Sequence, residues 1–231
     1  MNTPEMLSLV LPCRNQADHI GAVLPRYIGP LEALGTPFEL VVVPNASSDG
    51  TEQVVAEIAQ RDPRIRMASN PEGGWGLSVR TGLDAARGEI LAYTNTARTD
   101  PAGVPEFVRR YRELGGRSLV KARREARQAP VREIGSLLYN LEARLCFSVR
   151  CGDVNGTPKV FSREFYRTLR LTSAGDLLDL ELMAAAVRRR VPVDELPVRG
   201  FRRHGGKSST TWKSALKMYR GALQLWWTGA A

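Results

Sequence analysis

Phe38-Glu39-Leu40-Val41-Val42-Val43-Pro44-Asn45-Ala46-Ser47-Ser48-Asp49-Gly50-Thr51 is the stretch whose reading decides how this chain folds. The apolar run, rich in β-branched side chains, predicts a buried strand that proline ends. The polar residues after it read as a turn, and Ser48, Asp49 or Thr51 can each cap the amides of a helix beginning near Glu52. Upstream, Leu7-Ser8-Leu9-Val10-Leu11-Pro12 is a second such run. Between the two strands Ile20, Val23, Leu24, Ile28 and Leu31 recur at close to helical spacing, so a helix is expected within residues 17–34. Downstream, Val54, Val55 and Ile58 place a helix over 52–60, Arg64-Ile65-Arg66-Met67 is a short strand, 77–87 is helical and Glu89-Ile90-Leu91-Ala92-Tyr93 is a strand. This alternation predicts a mostly parallel sheet with helices on both faces, in a single α/β domain. Such sheets bind ligands beyond the carboxyl ends of their strands, where each polar segment falls. Ordinary βα turns are the plain alternative for any one segment alone.

Lys plus Arg number 33 against 24 Asp plus Glu, a net charge of +9, and 231 residues suffice for one well-packed domain. The excess raises the local concentration of anions. Nucleic acid is disfavoured, because the basic residues lack interleaved aromatic platforms and no zinc-finger or helix-turn-helix spacing is visible. Cys13, Cys146 and Cys151 show no metal-binding spacing and fit a reduced cytoplasmic protein with buried thiols. His19 and His204 are too few for a histidine metal site. His19 reads as a helix-surface residue, and His204 lies in a basic loop where it can meet phosphate.

Several segments together resemble the family 2 glycosyltransferases with the GT-A fold, and within them the polyprenol-phosphate mannosyl- and glucosyltransferases. Val10-Leu11-Pro12-Cys13-Arg14-Asn15-Gln16 is similar to the family's Pro-x-x-Asn-Glu, and residues 43–51 to its Asp-Asp-Gly-Ser-x-Asp-Gly-Thr. Gly74-Trp75-Gly76-Leu77-Ser78-Val79-Arg80-Thr81-Gly82 resembles its glycine loop and following helix, and Tyr93-Thr94-Asn95-Thr96 its Asp-x-Asp. Residues 153–163, from Asp153 through Lys159 to Arg163, resemble the acceptor-side Asp-x-x-Ser-Gly-Phe-Arg segment. Order and spacing match from residue 7 to about 210. The resemblance implies a GT-A, Rossmann-like domain over 1–231, with a nucleotide-sugar-binding half at 5–115, an acceptor half at 116–200, and a basic loop with an amphipathic helix at 201–231.

The departures bear on the chemistry. Gln16 stands where the family has Glu, Pro44-Asn45 where it has paired Asp, and Thr94-x-Thr96 where it has Asp-x-Asp. The family's Asp-x-Asp holds a divalent cation on the donor diphosphate, and threonine hydroxyls do not supply that charge. Arg98 lies where the polyprenol-phosphate branch often has a metal-facing glutamine, and a guanidinium suits bidentate phosphate contact. The expected donor site therefore comprises Pro12, Arg14, Asn45, Gly74, Gly76, Arg80, Thr94, Asn95, Thr96 and Arg98, with Arg202 and Lys207 from Arg202-Arg203-His204-Gly205-Gly206-Lys207. That loop reads otherwise as a solvated turn. No cofactor is expected, and Mg or Mn enters only if Asp100 or another carboxylate replaces the missing motif. The alternative is a homologue that binds nucleotide-sugar, or a protein partner, without turnover.

On the acceptor side the resemblance points to Lys159 and Arg132, with a lipid-phosphate or small-molecule acceptor. Asp179 is the first candidate for a base and Asp153 the second, if the acceptor is a hydroxyl. Asp176 as a helix cap, with Asp179 and Glu181 in the first turns of a helix over 177–189, is the structural alternative. Near the end, Trp212, Leu216, Tyr219, Leu223 and Trp226 recur at helical spacing beside Lys213, Lys217 and Arg220. Such a helix lies in a membrane interface or packs on the domain. No apolar run reaches the length of a membrane span and no signal peptide is evident, so the expected location is cytoplasmic, peripheral to a membrane.

Overall fold

The computed structural model describes residues 5–125, 130–199, 204–205 and 212–227, apart from the side chains of 130–134, 136 and 212–217. In chain order the elements are β1 (Leu7–Cys13), α1 (Ile20–Val23), α2 (Pro25–Glu32), β2 (Phe38–Pro44), α3 (Thr51–Arg61), β3 (Ile65–Met67), α4 (Trp75–Ala85), β4 (Ile90–Tyr93), α5 (Val104–Glu113), β5 (Leu119–Glu125), α6 (Pro130–Phe147), β6 (Lys159–Ser162), α7 (Arg163–Arg167), α8 (Leu178–Arg188), β7 (Val193–Arg199) and α9 (Trp212–Trp227). Among the described residues the strands form one sheet of order β3-β2-β1-β4-β6-β5-β7. The first four are parallel; β6 then runs antiparallel to both β4 and β5, and β5 pairs parallel with β7. The sheet is thus mostly parallel, as the alternation predicts, with one reversed strand in its middle.

Side chains alternate between two layers, as a period of two requires. Leu9, Leu11, Leu40 and Val42 join one core with α1, α2, α3 and α5. Val10, Val41 and Val43 join the other with α4 and α8. Burial on both faces is the reason these strands read as continuous apolar runs. Gly82 makes the tightest helix-to-strand approach here, since a Cβ on it would lie 2.2 Å from Val10 Cγ1 and 3.0 Å from Val43 Cγ2. Both neighbours are stiff, β-branched and buried. Gly82→Ala is expected to destabilise the fold by about 1–3 kcal/mol in chemical denaturation, the usual cost of overpacking.

Four local expectations are corrected. The helix expected over 17–34 is two helices, because Pro25 lacks an amide donor and opens α2 at its first position. Gly50, in the left-handed region at φ +86°, stands at the cap position of α3, while Asp49 Oδ1 accepts from the Thr51 amide at 3.0 Å. For α8 the cap position belongs to Leu177 without a side-chain bond, so Asp176 is not its cap. Of the thiols only Cys13 is buried, and burial pushes it up to about 12; Cys146 and Cys151 are partly exposed.

Candidate functional site

The loops after β1, β2 and β4 are stitched into one rim. Asn15, held at φ +49°, donates its amide to Ser47 Oγ at 3.1 Å and accepts from the Ser48 amide at 2.9 Å. The Gln16 amide donates to Thr51 Oγ1 at 2.8 Å, and the Ala17 amide to Asp49 Oδ2 at 2.9 Å. Asn45 Oδ1 accepts from the Gly74 amide at 2.8 Å, tying the β2 turn to the glycine loop. Thr96 Oγ1 donates to the Pro12 carbonyl at 2.8 Å and accepts from Gln16 Nε2 at 3.1 Å. Pro12, Asn45, Gly74, Thr94 and Thr96, widely spaced in sequence, therefore meet at the carboxyl ends of β1, β2 and β4. Arg14 and Arg98 are exposed on this rim and Asn95 is half-buried, its Oδ1 accepting from the Ala97 amide at 2.9 Å.

The remaining donor-side residues are placed differently. Gly74, at φ +114°, and Gly76 lie against backbone: a Cβ would meet the Ala174 carbonyl at 2.4 Å and the Ser173 carbonyl at 2.3 Å respectively. Only glycine admits this strap over the start of α4. Arg80 is not brought to the rim, since its Nη1 donates to the Leu171 carbonyl at 2.9 Å. His204 returns the end of the chain to the β4 loop, its amide on the Ala97 carbonyl and Nε2 at the Thr99 carbonyl, both at 2.9 Å. His19 is shielded rather than on the surface, with Nδ1 2.5 Å from Asp18 Oδ1 and against Gly205. Arg202 and Lys207 lie outside the described residues, as does the Arg132 side chain.

As far as the described residues go, the rim does not fit a divalent cation. Thr94 and Thr96 are fully buried; Thr94 Oγ1 is 2.6 Å from Thr99 Oγ1, and Thr96 is committed to Pro12 and Gln16. Asp100 caps the short turn after this loop, accepting from Ala102, and sits 3.9 Å from Arg26. Among the described residues no group of three or more His, Cys, Asp or Glu is arranged to hold a metal.

Behind the rim lies a buried charge ladder. Lys159 has no exposed surface, and its ammonium pairs with Asp179 Oδ1. The same oxygen accepts from Tyr93 Oη at 2.6 Å, while Oδ2 accepts from Trp75 Nε1 at 3.1 Å. Burial drives Lys159 below the ordinary lysine range against the opposing pull of Asp179. Burial and the Asp179 charge together hold the Tyr93 phenol well above its ordinary value, so it stays a neutral donor. One step along the sheet Asp153 accepts from Arg124 Nε and Nη2 at 2.6 and 2.7 Å. Lys121, which faces Lys159 across the β5–β6 register, donates to Glu195 Oε1 at 3.0 Å. Tyr93, Trp75, Lys121, Arg124 and Glu195 are absent from the sequence-based site, and the two lysines inside otherwise apolar strand segments were the signal for this ladder.

Glu142 on α6 is a further missed group, its Oε2 buried without a hydrogen-bond partner among the described residues. Burial pushes its carboxyl from 4.5 up to about 7. A raised acid keeps its proton longer in the folded state, so stability falls as pH rises from 4.5 to about 7. Glu142→Gln is expected to remove that component of the slope, read from urea midpoints across the window.

Comparison with known proteins follows the same lines. Residues 8–96 match the model of glycosyl transferase family 2. The chain is 29% identical to glycosyltransferase AglD of Haloferax volcanii, over 96% of this chain and 37% of that protein. It is 24% identical to dolichyl-phosphate beta-glucosyltransferase ALG5C of Trichomonas vaginalis, over 83% of this chain and 62% of that protein. It thus spans between about a third and three-fifths of these curated relatives. Glucosyl-3-phosphoglycerate synthase from Mycobacterium tuberculosis, crystallised with Mn2+, uridine diphosphate and phosphoglyceric acid, superposes with a TM-score of 0.71 at 21% identity, covering 95% of this chain and 76% of that one. The shared fold is GT-A, as the sequence resemblance implies.

Proposed function

Because residues 8–96 match the model of glycosyl transferase family 2, we propose that the chain transfers a sugar, with inversion, from a nucleotide-sugar donor to a phosphate-bearing acceptor at the cytoplasmic side of a membrane. The observation that carries this reading is the state of the two candidate bases: Asp179 is engaged by Lys159, Tyr93 and Trp75, and Asp153 by Arg124. A hydroxyl acceptor needs a base within hydrogen-bond reach, and either carboxylate would have to leave its cation to serve. A phosphate acceptor is already ionised at neutral pH. Its oxygen attacks the anomeric carbon as the bond to the nucleoside diphosphate breaks, and the electron pair leaves with the diphosphate. Asp179 and Lys159 then act as positioning residues that fix Trp75 and Tyr93 beneath the rim, with Arg132 the candidate for direct acceptor contact.

On the donor side Pro12, Arg14, Asn45, Gly74, Asn95 and Arg98 form the proposed site, with Arg98 and His204 assigned to the diphosphate in place of a cation. The test is turnover with and without a chelator. Activity is expected to survive chelation, and Arg98→Ala to weaken diphosphate binding by about 1.5–3 kcal/mol, the scale of a hydrogen bond to a charged group. Loss of turnover on chelation, restored by manganese or magnesium, would return the chain to metal-assisted transfer. Donor binding with no turnover on any acceptor would leave it a binding homologue.

Membrane contact is the second part of the proposal. Leu137, Leu138, Leu141 and Leu145 of α6 and Leu223, Trp226 and Trp227 of α9 are exposed, Leu145 at 75% and Trp227 at 85%. The two helices touch through Tyr139 and Tyr219, whose ring centroids are 5.9 Å apart, so both stripes belong to one helix pair. Among the described residues no helix is long and apolar enough to cross a membrane. A surface of this kind suits shallow insertion.

A further inference from the structure

A cavity of about 400 Å³ lies between α4, α7 and the residues that follow α7, and Arg80, Arg163, Arg167 and Arg170 line it. It is separate from the rim. Arg163 follows β6, which runs antiparallel to β4, so this residue stands at the amino end of β4, and its Nε donates to the Gly88 carbonyl at 2.7 Å. Asp84 contributes a carboxylate to the wall, and it is already engaged by Tyr166 Oη at 2.6 Å. Burial and Asp84 push the Tyr166 phenol above its ordinary value, keeping it a proton donor. Two guanidinium groups there are incompletely satisfied: Arg80 Nε and Arg163 Nη2 are buried with no hydrogen-bond partner among the described residues. Buried donors ordinarily find acceptors, and an exception calls for a missing partner.

Four arginines around one cavity match an anion with several acceptor oxygens. The volume falls within the range of small-ligand sites. We propose that this pocket is a second anion site, distinct from the donor rim, which takes a phosphoryl group. The group is carried either by a small soluble molecule or by a lipid headgroup.

The experiment uses the full chain and two double variants that remove equal charge from exposed positions, Arg167→Ala/Arg170→Ala in the pocket and Arg61→Ala/Arg109→Ala elsewhere. Calorimetric titration with inorganic phosphate and with pyrophosphate reads the soluble source. Sedimentation with phosphatidic acid vesicles against neutral phosphatidylcholine vesicles reads the lipid source. The pocket variant is expected to weaken one of the two by about tenfold or more, as the loss of charge-assisted bonds implies, while the control variant matches the parent. Binding of a nucleoside diphosphate should be unchanged in both variants. A defect in phosphate binding alone assigns a soluble ligand, and one in vesicle binding alone assigns a headgroup. Equal affinities in the two double variants, or no binding of any probe by the parent chain, overturns the proposal.

Discussion

Asp179→Ala is expected to lower the unfolding free energy by about 3–5 kcal/mol, the usual consequence of stripping one partner from a buried ion pair. The reason is the position of Lys159, which has no exposed surface and whose ammonium pairs with that carboxylate. Removing the acid leaves a cation buried beside the Tyr93 ring, 5.4 Å from its centroid, which compensates only weakly. Tyr93 Oη and Trp75 Nε1 lose their acceptors in the same step. Lys159→Met/Asp179→Leu removes both charges together and is expected to recover much of the loss, because buried pairs commonly exchange for apolar residues at little cost. Urea denaturation followed by tryptophan fluorescence measures all three proteins. A single-variant loss below about 1 kcal/mol would mean that Lys159 sheds its charge, or that water reaches the pair, and the ladder would then not organise the interior.

The functional consequence separates positioning from proton transfer. If Asp179 fixes Trp75 at the start of α4 and Tyr93 at the end of β4, Asp179→Asn should reduce turnover without altering the pH profile of kcat. A carboxylate acting as base would instead remove the acidic limb of that profile. The same variant thus reports which of the two roles the residue has.

The amino-terminal half of the fold was legible because its strands are buried on both faces and its turns carry distinct chemistry. Residues 38–51 alone hold a strand, a proline stop and a helix start, and the structure places β2 and α3 there. The reversed strand β6 was not legible, since a four-residue strand with only Val160 and Phe161 apolar carries no sign of its direction. The convergence of Pro12, Asn45 and Thr96 followed from the rule that strand ends share a rim. The partners within it did not, because which hydroxyl meets which carbonyl is set by loop geometry. Arg80 shows the limit well: helical spacing placed it on α4, but only the path of the strap decided that it would face Leu171 and the second cavity. The pairing of Lys159 with Asp179 is likewise a tertiary contact between a strand and a helix, invisible to any local pattern.

The largest functional effect is expected at the proposed membrane face, where Leu145→Ser/Trp226→Ser/Trp227→Ser should reduce binding to anionic vesicles by roughly 100-fold. Each of these side chains is at least half exposed, so its insertion gains what burial gives, about 1 kcal/mol apiece for partial immersion and roughly 3 kcal/mol together. The sequence stripe located only part of this surface. Tyr219 turns inward to Tyr139, Ala222 and Leu225 are buried in the core, and α6 supplies four leucines that the stripe did not contain; the side chains of Trp212 and Leu216 lie outside the described residues. Deleting α9 is therefore a poor test, since it removes core contacts along with the exposed face. The triple variant leaves Ala222 and Leu225 in place and should keep the parent's unfolding midpoint. Raising ionic strength should weaken the parent on anionic vesicles by screening its basic residues, and leave an apolar component that the triple variant lacks. If the triple variant sediments with vesicles as the parent does, the exposed leucines and tryptophans are not a membrane surface. The proposed phosphate-bearing acceptor would then have to reach the rim from solution.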